Sequence, residues 1–189
     1  MTVLCYIARK VIVYTLGHST LDGDAFVQLL EAHAIGAVAD VRRFPGSRRH
    51  PQFVRETLAA RLEDAGVAYE WLPALGGRRR PRPNSPNVGW KVEGFRGYAD
   101  HMETDEFLVG LGRLLALAGS HRTAIMCAEA VPWRCHRRLI ADALVTRDVT
   151  VRHVTSATAA ADHALTPFAR LDGARLVYDG ATTPPLPGL

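Results

Sequence analysis

Lysine is nearly missing from this chain: Lys10 and Lys91 are the only two among its 23 basic residues, and the rest are arginine. Cysteine is scarce as well. Three residues, Cys5, Cys127 and Cys135, are too few and odd in number for a disulfide framework, which excludes a stapled secreted mini-domain. No stretch comes near the roughly 20 apolar residues that span a bilayer, so no membrane partner is expected. Residues 1–10 carry an apolar run without a basic start or a cleavage pattern, and the expectation is a soluble, cytoplasmic protein. Internal repeats and heptads are also lacking, which excludes solenoids and coiled coils. The formal charge of +4 permits an anionic partner without establishing one, since arginine richness is also what GC-rich coding yields.

What is present suits one packed domain. A chain of 189 residues, 48% of them hydrophobic, can bury about 70% of its unfolded surface. Apolar β-branched runs at 11–16, 35–42, 67–72, 122–126 and 149–154 read as strands. Helical spacing links Phe26, Leu29 and Leu30, then Phe53, Leu58 and Leu62, then Phe107, Leu111, Leu114 and Leu115, with further helices over 95–102 and 134–145. Ser19, Thr20 or Asp22 is positioned to cap the first of them. Strands alternating with helices predict an α/β fold, a single-domain, mostly parallel sheet of about five strands with helices on both faces. The domain is set at 11–155. The extension 156–189, with a short strand near 175–178, is expected to pack on it or be partly disordered. The Gly/Arg/Pro segment 74–94 is long enough to be functional or disordered.

In parallel sheets ligands gather at the carboxyl ends of strands, and the polar residues here fall there. His18 and Ser19 follow the first strand, Asp40 and Arg42 close the second, Gly76 and Gly77 follow the third, and Cys127 and Glu129 close the fourth. Eight residues after Cys127 comes Cys135-His136-Arg137, at the start of a helical pattern. Cys127 is a candidate nucleophile if its thiolate is stabilised, and otherwise a small buried hydrophobe. Asp40 and Glu129 either divide acid and base work or hold Arg42 and Arg137 as ion pairs. Arg134 and Arg137 in a first helical turn oppose the helix dipole, which suggests a bound anion or such pairing. Cys127, Cys135, His136 and His18 form a donor set that zinc favours, but the spacing is no recognised zinc pattern and no metal is assigned. Redox coupling of Cys127 with Cys135 stays open. The sequence specifies no cofactor.

Taken together, Gly17-His18-Ser19, Asp40-Val41-Arg42 with Pro45, Leu72-Pro73 before Leu75-Gly76-Gly77, Gly94-Phe95 with Tyr98, and Cys127-Ala128-Glu129 before Cys135-His136-Arg137 resemble the domain of unknown function 488 family. The likeness spans about residues 15–154. It implies a compact cytosolic α/β domain with these motifs as its functional signature. A weaker likeness, to rhodanese-like and cysteine-phosphatase domains, breaks at Pro132 and Trp133, where a phosphate cradle would need a backbone donor and an arginine.

The leading expectation is an enzyme acting on a small anionic or nucleotide-like substrate at the strand ends, by group transfer or hydrolysis. Cys127, Glu129, His136, His18 and Asp40 are the catalytic candidates. Ser19, Arg42, Arg134, Arg137, Gly76, Gly77 and Tyr98 are the substrate-binding ones. The alternative is a nucleic-acid-binding or nucleic-acid-processing module. It would use Arg42, Arg43, Arg48, Arg49 and His50 with Arg78, Arg79, Arg80 and Arg82 as a basic rim, and Trp71, Trp90, Phe95 and Tyr98 for stacking.

Overall fold

The computed structural model describes residues 10–46 and 48–181, so the expectations for Cys5 and the rest of 1–9, for Ser47 and for 182–189 fall outside it. The elements run β1 (Ile12–Gly17), α1 (Gly23–Ala32), β2 (Ala37–Asp40), α2 (Arg55–Asp64), β3 (Ala68–Trp71), α3 (Glu93–His101), α4 (Asp105–Ser120), β4 (Thr123–Cys127), α5 (Arg137–Val145), β5 (Thr150–Ser156), β6 (Ala159–Asp162), β7 (Arg170–Asp172) and β8 (Arg175–Val177). Six strands form one sheet in the order β3-β2-β4-β1-β5-β6, parallel except for β6, which runs antiparallel to β5. β7 and β8 pair as a separate hairpin.

Strand side chains alternate between faces, and each face meets its own helices. Tyr14, Leu16, Val38, Ala124 and Met126 pack with Phe26, Leu30, Phe53, Leu58 and Leu62 beneath α1 and α2. Val13, Ala39, Ile125 and Val151 pack with Tyr98, Phe107, Leu111, Leu114, Leu139, Ile140 and Leu144 of α3, α4 and α5. Each large side chain buried this way stabilises the fold by about 1.5–3 kcal/mol before entropy is counted. Asp22 caps α1 by accepting the Ala25 N–H at 2.7 Å.

β1 leads through α1 to β2, past β4, while β4 leads through α5 to β5, past β1. Two adjacent strands whose connections depart in opposite directions leave a crevice at their carboxyl ends. Gly17 and Cys127 face each other in register there.

One sequence expectation changes and two open ones narrow. The helix predicted over 134–145 begins at Arg137, because Pro132–Arg134 first makes a 3-10 turn. The segment after Pro73 is pinned rather than loose: Asp100 accepts from Arg82 N (2.8 Å), Ser85 Oγ (2.7 Å) and Asn87 Nδ2 (2.9 Å). Beyond 155 the chain adds β6 and buries Tyr178 completely in the core. The alanine-rich β6 carries weak strand propensity of its own and takes its conformation from pairing with β5.

Candidate functional site

The alternation that builds the core also separates the sequence motifs. Asp40 pairs with Met126 in register, so it shares the α1/α2 face, whereas Cys127 lies on the α5 face. Two clusters result, back to back.

On the α1/α2 side the fully buried Asp40 is saturated. It accepts Arg42 N (3.0 Å), Nε (2.9 Å) and Nη2 (2.6 Å), and the Tyr69 hydroxyl (2.7 Å). Arg42 also donates Nη1 to the Phe53 carbonyl at 2.7 Å. His18 stacks on Phe53 with ring centroids 3.9 Å apart, and its Nδ1 donates to the Ser19 carbonyl at 3.0 Å. Burial, with Arg42 nearby, pushes His18 down to about 4, so the ring is neutral near pH 7. The Asp40–Arg42 half of the expected ion-pair network is therefore present, and neither Asp40 nor His18 has a free atom for proton transfer to a ligand.

On the α5 side, Cys127, Cys135 and His136 bring two sulfurs and Nδ1 within 4.8 Å of one another. His136 Nε2 donates to the Val41 carbonyl at 3.0 Å, which turns Nδ1 toward the Cys135 sulfur 3.7 Å away. The fully buried Arg137 donates Nε to Cys135 Sγ (3.3 Å), Nη1 to Thr15 Oγ1 (3.3 Å), and Nη2 to the carbonyls of Glu129 (2.5 Å) and Ala130 (3.3 Å). Arg137 thus meets Glu129 through the backbone and not through the carboxylate. Its neighbours Cys127, His136 and Arg137 hold Cys135 well below the usual thiol range, while Cys135 and burial push Cys127 up. The sequence pointed to Cys127 as the candidate for a stabilised thiolate; the Arg137 Nε–H lies on Cys135, and Cys127 is half-buried beside it.

A cavity of about 160 Å³ opens at Cys127 and His136, walled by Gly77, Ala128 and Phe44 and rimmed by Arg42, Arg43 and Arg78. Arg42 is tied to Asp40, but the exposed Arg43 and Arg78 meet only through Arg43 Nη1 on the Arg78 carbonyl, at 3.2 Å. Other expected site residues do not line it. Tyr98 is fully buried, donates its hydroxyl to the Leu75 carbonyl at 2.7 Å, and backs His136 with ring centroids 5.1 Å apart. Glu129 and Arg134 are exposed. Ser19 lines a separate, larger hollow beside Trp133. Of the arginine run, Arg79 pairs with Glu106 at 3.0 Å and Arg82 with Glu103 at 2.8 Å, so two of the four arginines over 78–82 are neutralised internally.

Glycines make these approaches possible. A Cβ on Gly17 would lie 1.9 Å from the Glu129 carbonyl oxygen, and one on Gly77 would lie 2.8 Å from His136 Nδ1. Several backbone donors of the junction are spent locally: Arg134 N on Val131 O, Cys135 N on Pro132 O, Arg138 N on Cys135 O and Leu139 N on His136 O. Cys127, Cys135 and His136 are close enough to share a soft cation without His18. The guanidiniums of Arg137, Arg42, Arg43 and Arg78 around them favour anionic sulfur and oppose added positive charge. Sequence reasoning missed Thr15 as an Arg137 partner; the signal was a hydroxyl in the middle of an apolar strand.

A family model described as domain of unknown function DUF488 matches residues 22–144. No curated protein and no solved structure gives a significant match.

Proposed function

The chain belongs to the DUF488 family, and from that premise we propose that it is an enzyme that captures a small anion at the carboxyl ends of β1 and β4 and transfers a group from it through Cys127. The reading is carried by one observation: Cys127 lines a cavity of about 160 Å³ whose rim holds the exposed cations Arg43 and Arg78. Beside Cys127, Cys135 and His136 lie close enough to accept its proton, His136 at the Nδ1 left free by the Nε2 bond to Val41. Attack by Cys127 forms the new bond to sulfur, its proton passes to Cys135, and the leaving group departs with the electrons of the broken bond.

The volume limits the substrate. Sites that enclose drug-sized ligands run to about 300–1,000 Å³, so the cavity of about 160 Å³ suits a phosphate- or sulfate-sized group rather than an enclosed nucleotide. Arg78, at φ 60°, is one of the few non-glycine residues in the left-handed region, and such strain concentrates at binding sites.

The test alkylates the folded protein with iodoacetate and with neutral iodoacetamide, reading Cys127 by mass spectrometry. The reading requires faster modification by the anionic reagent and slowing by inorganic phosphate or sulfate. A Cys127 that stays inert until unfolding, or that shows neither effect, overturns it.

A further inference from the structure

Three polar residues are buried in apolar company on the α5 side: Thr15 in β1 and Asp142 in α5, both 0% exposed, and His153 in β5, 9% exposed. Buried polar groups need partners, and these find one another in a single file. His163 Nε2 lies 2.8 Å from Asp142 Oδ1, His163 Nδ1 lies 2.9 Å from His153 Nε2, and His153 Nδ1 lies 2.7 Å from Thr15 Oγ1. Thr15 Oγ1 then takes Arg137 Nη1 at 3.3 Å, and Arg137 Nε reaches Cys135 Sγ at 3.3 Å. The carboxylate can only accept, so His163 donates to it from Nε2, and Arg137 can only donate, so the Thr15 oxygen accepts from its Nη1; the two rings carry the file between these ends.

We propose that Asp142, His163, His153 and Thr15 are positioning residues for the cysteine centre, holding the Arg137 guanidinium so that its Nε–H stays on Cys135. The inference rests on the cysteine reading above and gives that centre its support. A carboxylate placed directly on Arg137 would fix it equally well but would cancel its field at the sulfur. A carboxylate four hydrogen bonds away fixes the fork and leaves the field intact, because Coulomb attraction falls with distance. Asp142 is itself locked by Thr166 N (2.9 Å), Thr166 Oγ1 (2.7 Å) and the Tyr178 hydroxyl (2.9 Å), with Arg138 joined to Thr166 Oγ1 at 3.0 Å. The titratable groups facing Cys135 are Cys127 from β4, His136 and Arg137 at the start of α5, and Tyr98 from α3.

The experiment measures the thiolate midpoint of the folded, full-length protein by ultraviolet absorbance and by iodoacetamide rate against pH. Thr15→Val keeps the shape and cuts the chain; Thr15→Ser keeps the hydroxyl; His163→Asn cuts the chain at the sheet edge, far from the sulfurs. The expected result is a midpoint raised by about one pH unit in Thr15→Val, equal to about a tenfold loss of thiolate below the midpoint. Thr15→Ser should match the parent, and His163→Asn should shift the same way by less. A midpoint that stays or falls in the chain-cutting variants, or a Thr15→Ser that behaves as Thr15→Val, overturns the proposal. Should Thr15→Val not fold, His163→Asn decides alone. A parent protein lacking any depressed thiolate defeats the cysteine reading itself, whereas a depressed thiolate midpoint unmoved by the variants defeats only the chain.

Discussion

Arg137 sits 1% exposed with its Nε 3.3 Å from the Cys135 sulfur and no carboxylate among its hydrogen-bond partners. A buried cation without a carboxylate against it is expensive, and a thiolate at Cys135, in contact with Nε, would relieve it. Cation and thiolate therefore stabilise each other, and the stability of the fold is tied to the chemistry of its cysteine pair.

Arg137→Lys tests this by keeping the charge and losing the fork. One ammonium cannot reach Thr15, Cys135 and the carbonyls of Glu129 and Ala130 together, so one or two buried groups are left unpaired. The expected loss is about 1–3 kcal/mol in urea unfolding, with a raised thiolate midpoint. A variant with parental stability and an unchanged midpoint would show that only charge matters there.

Asp40→Asn probes the opposite face. Arg42 is buried and held by both Asp40 oxygens, and removing one member of such a pair costs about 3–5 kcal/mol. Because Asp40 lies across the sheet from Cys127, the iodoacetamide rate of the folded fraction should change little. A large rate change at modest stability cost would place Asp40 in the chemistry.

The glycine contacts set an order of severity. Gly17→Ala drives a Cβ to 1.9 Å from the Glu129 carbonyl oxygen, backbone that cannot yield; Gly77→Ala brings one to 2.8 Å from the His136 ring, which can. Gly94 has nothing within 4 Å and serves as the control. Melting temperatures should fall steeply for Gly17→Ala, by about 1–3 kcal/mol equivalent for Gly77→Ala, and not at all for Gly94→Ala. Gly77→Ala should also alter Cys127 alkylation, since His136 must move.

Acid should weaken the fold through two histidines. Burial pushes His18 and His153 down to about 4, helped by Arg42 for the first and by His163 and Arg137 for the second. Between that value and the unfolded value near 6.5, the unfolded chain binds more protons. Stability therefore drops as pH falls through this window, by up to about 1.4 kcal/mol per pH unit for each histidine. Urea midpoints from about pH 7 down to about pH 5 read this directly, and a flat profile removes both histidines from the account.

Strand and helix periods made the architecture legible, and the strand-end rule located the crevice. The division of the site was readable too, but only once register was known: Asp40 pairs with Met126, so strand parity alone separates it from Cys127. The 3-10 turn before α5 was signalled by Pro132 but not its effect, which delays the helix start to Arg137. The file from Asp142 to Thr15 was hidden because its members lie on α5, β5, β1 and the segment after β6, and only the tertiary fold brings them into contact.

The arginines decide between small anions and nucleic acid. A nucleic-acid footprint needs many free cations along a surface and gives a steep salt dependence. Here Arg79 and Arg82 are paired with Glu106 and Glu103, while Arg43 and Arg78 stand between the small cavity at Cys127 and a hollow of about 610 Å³ that they line with Arg79, Arg80 and Arg82. Arg43→Ala with Arg78→Ala should therefore abolish the preference of Cys127 for iodoacetate over iodoacetamide, and Arg79→Ala with Arg82→Ala should leave it intact while lowering thermal stability slightly. If the second pair removes the preference, or if the parent binds DNA or RNA with a steep salt slope that the second pair abolishes, then the arginine run is the functional surface and the cavity is its neighbour.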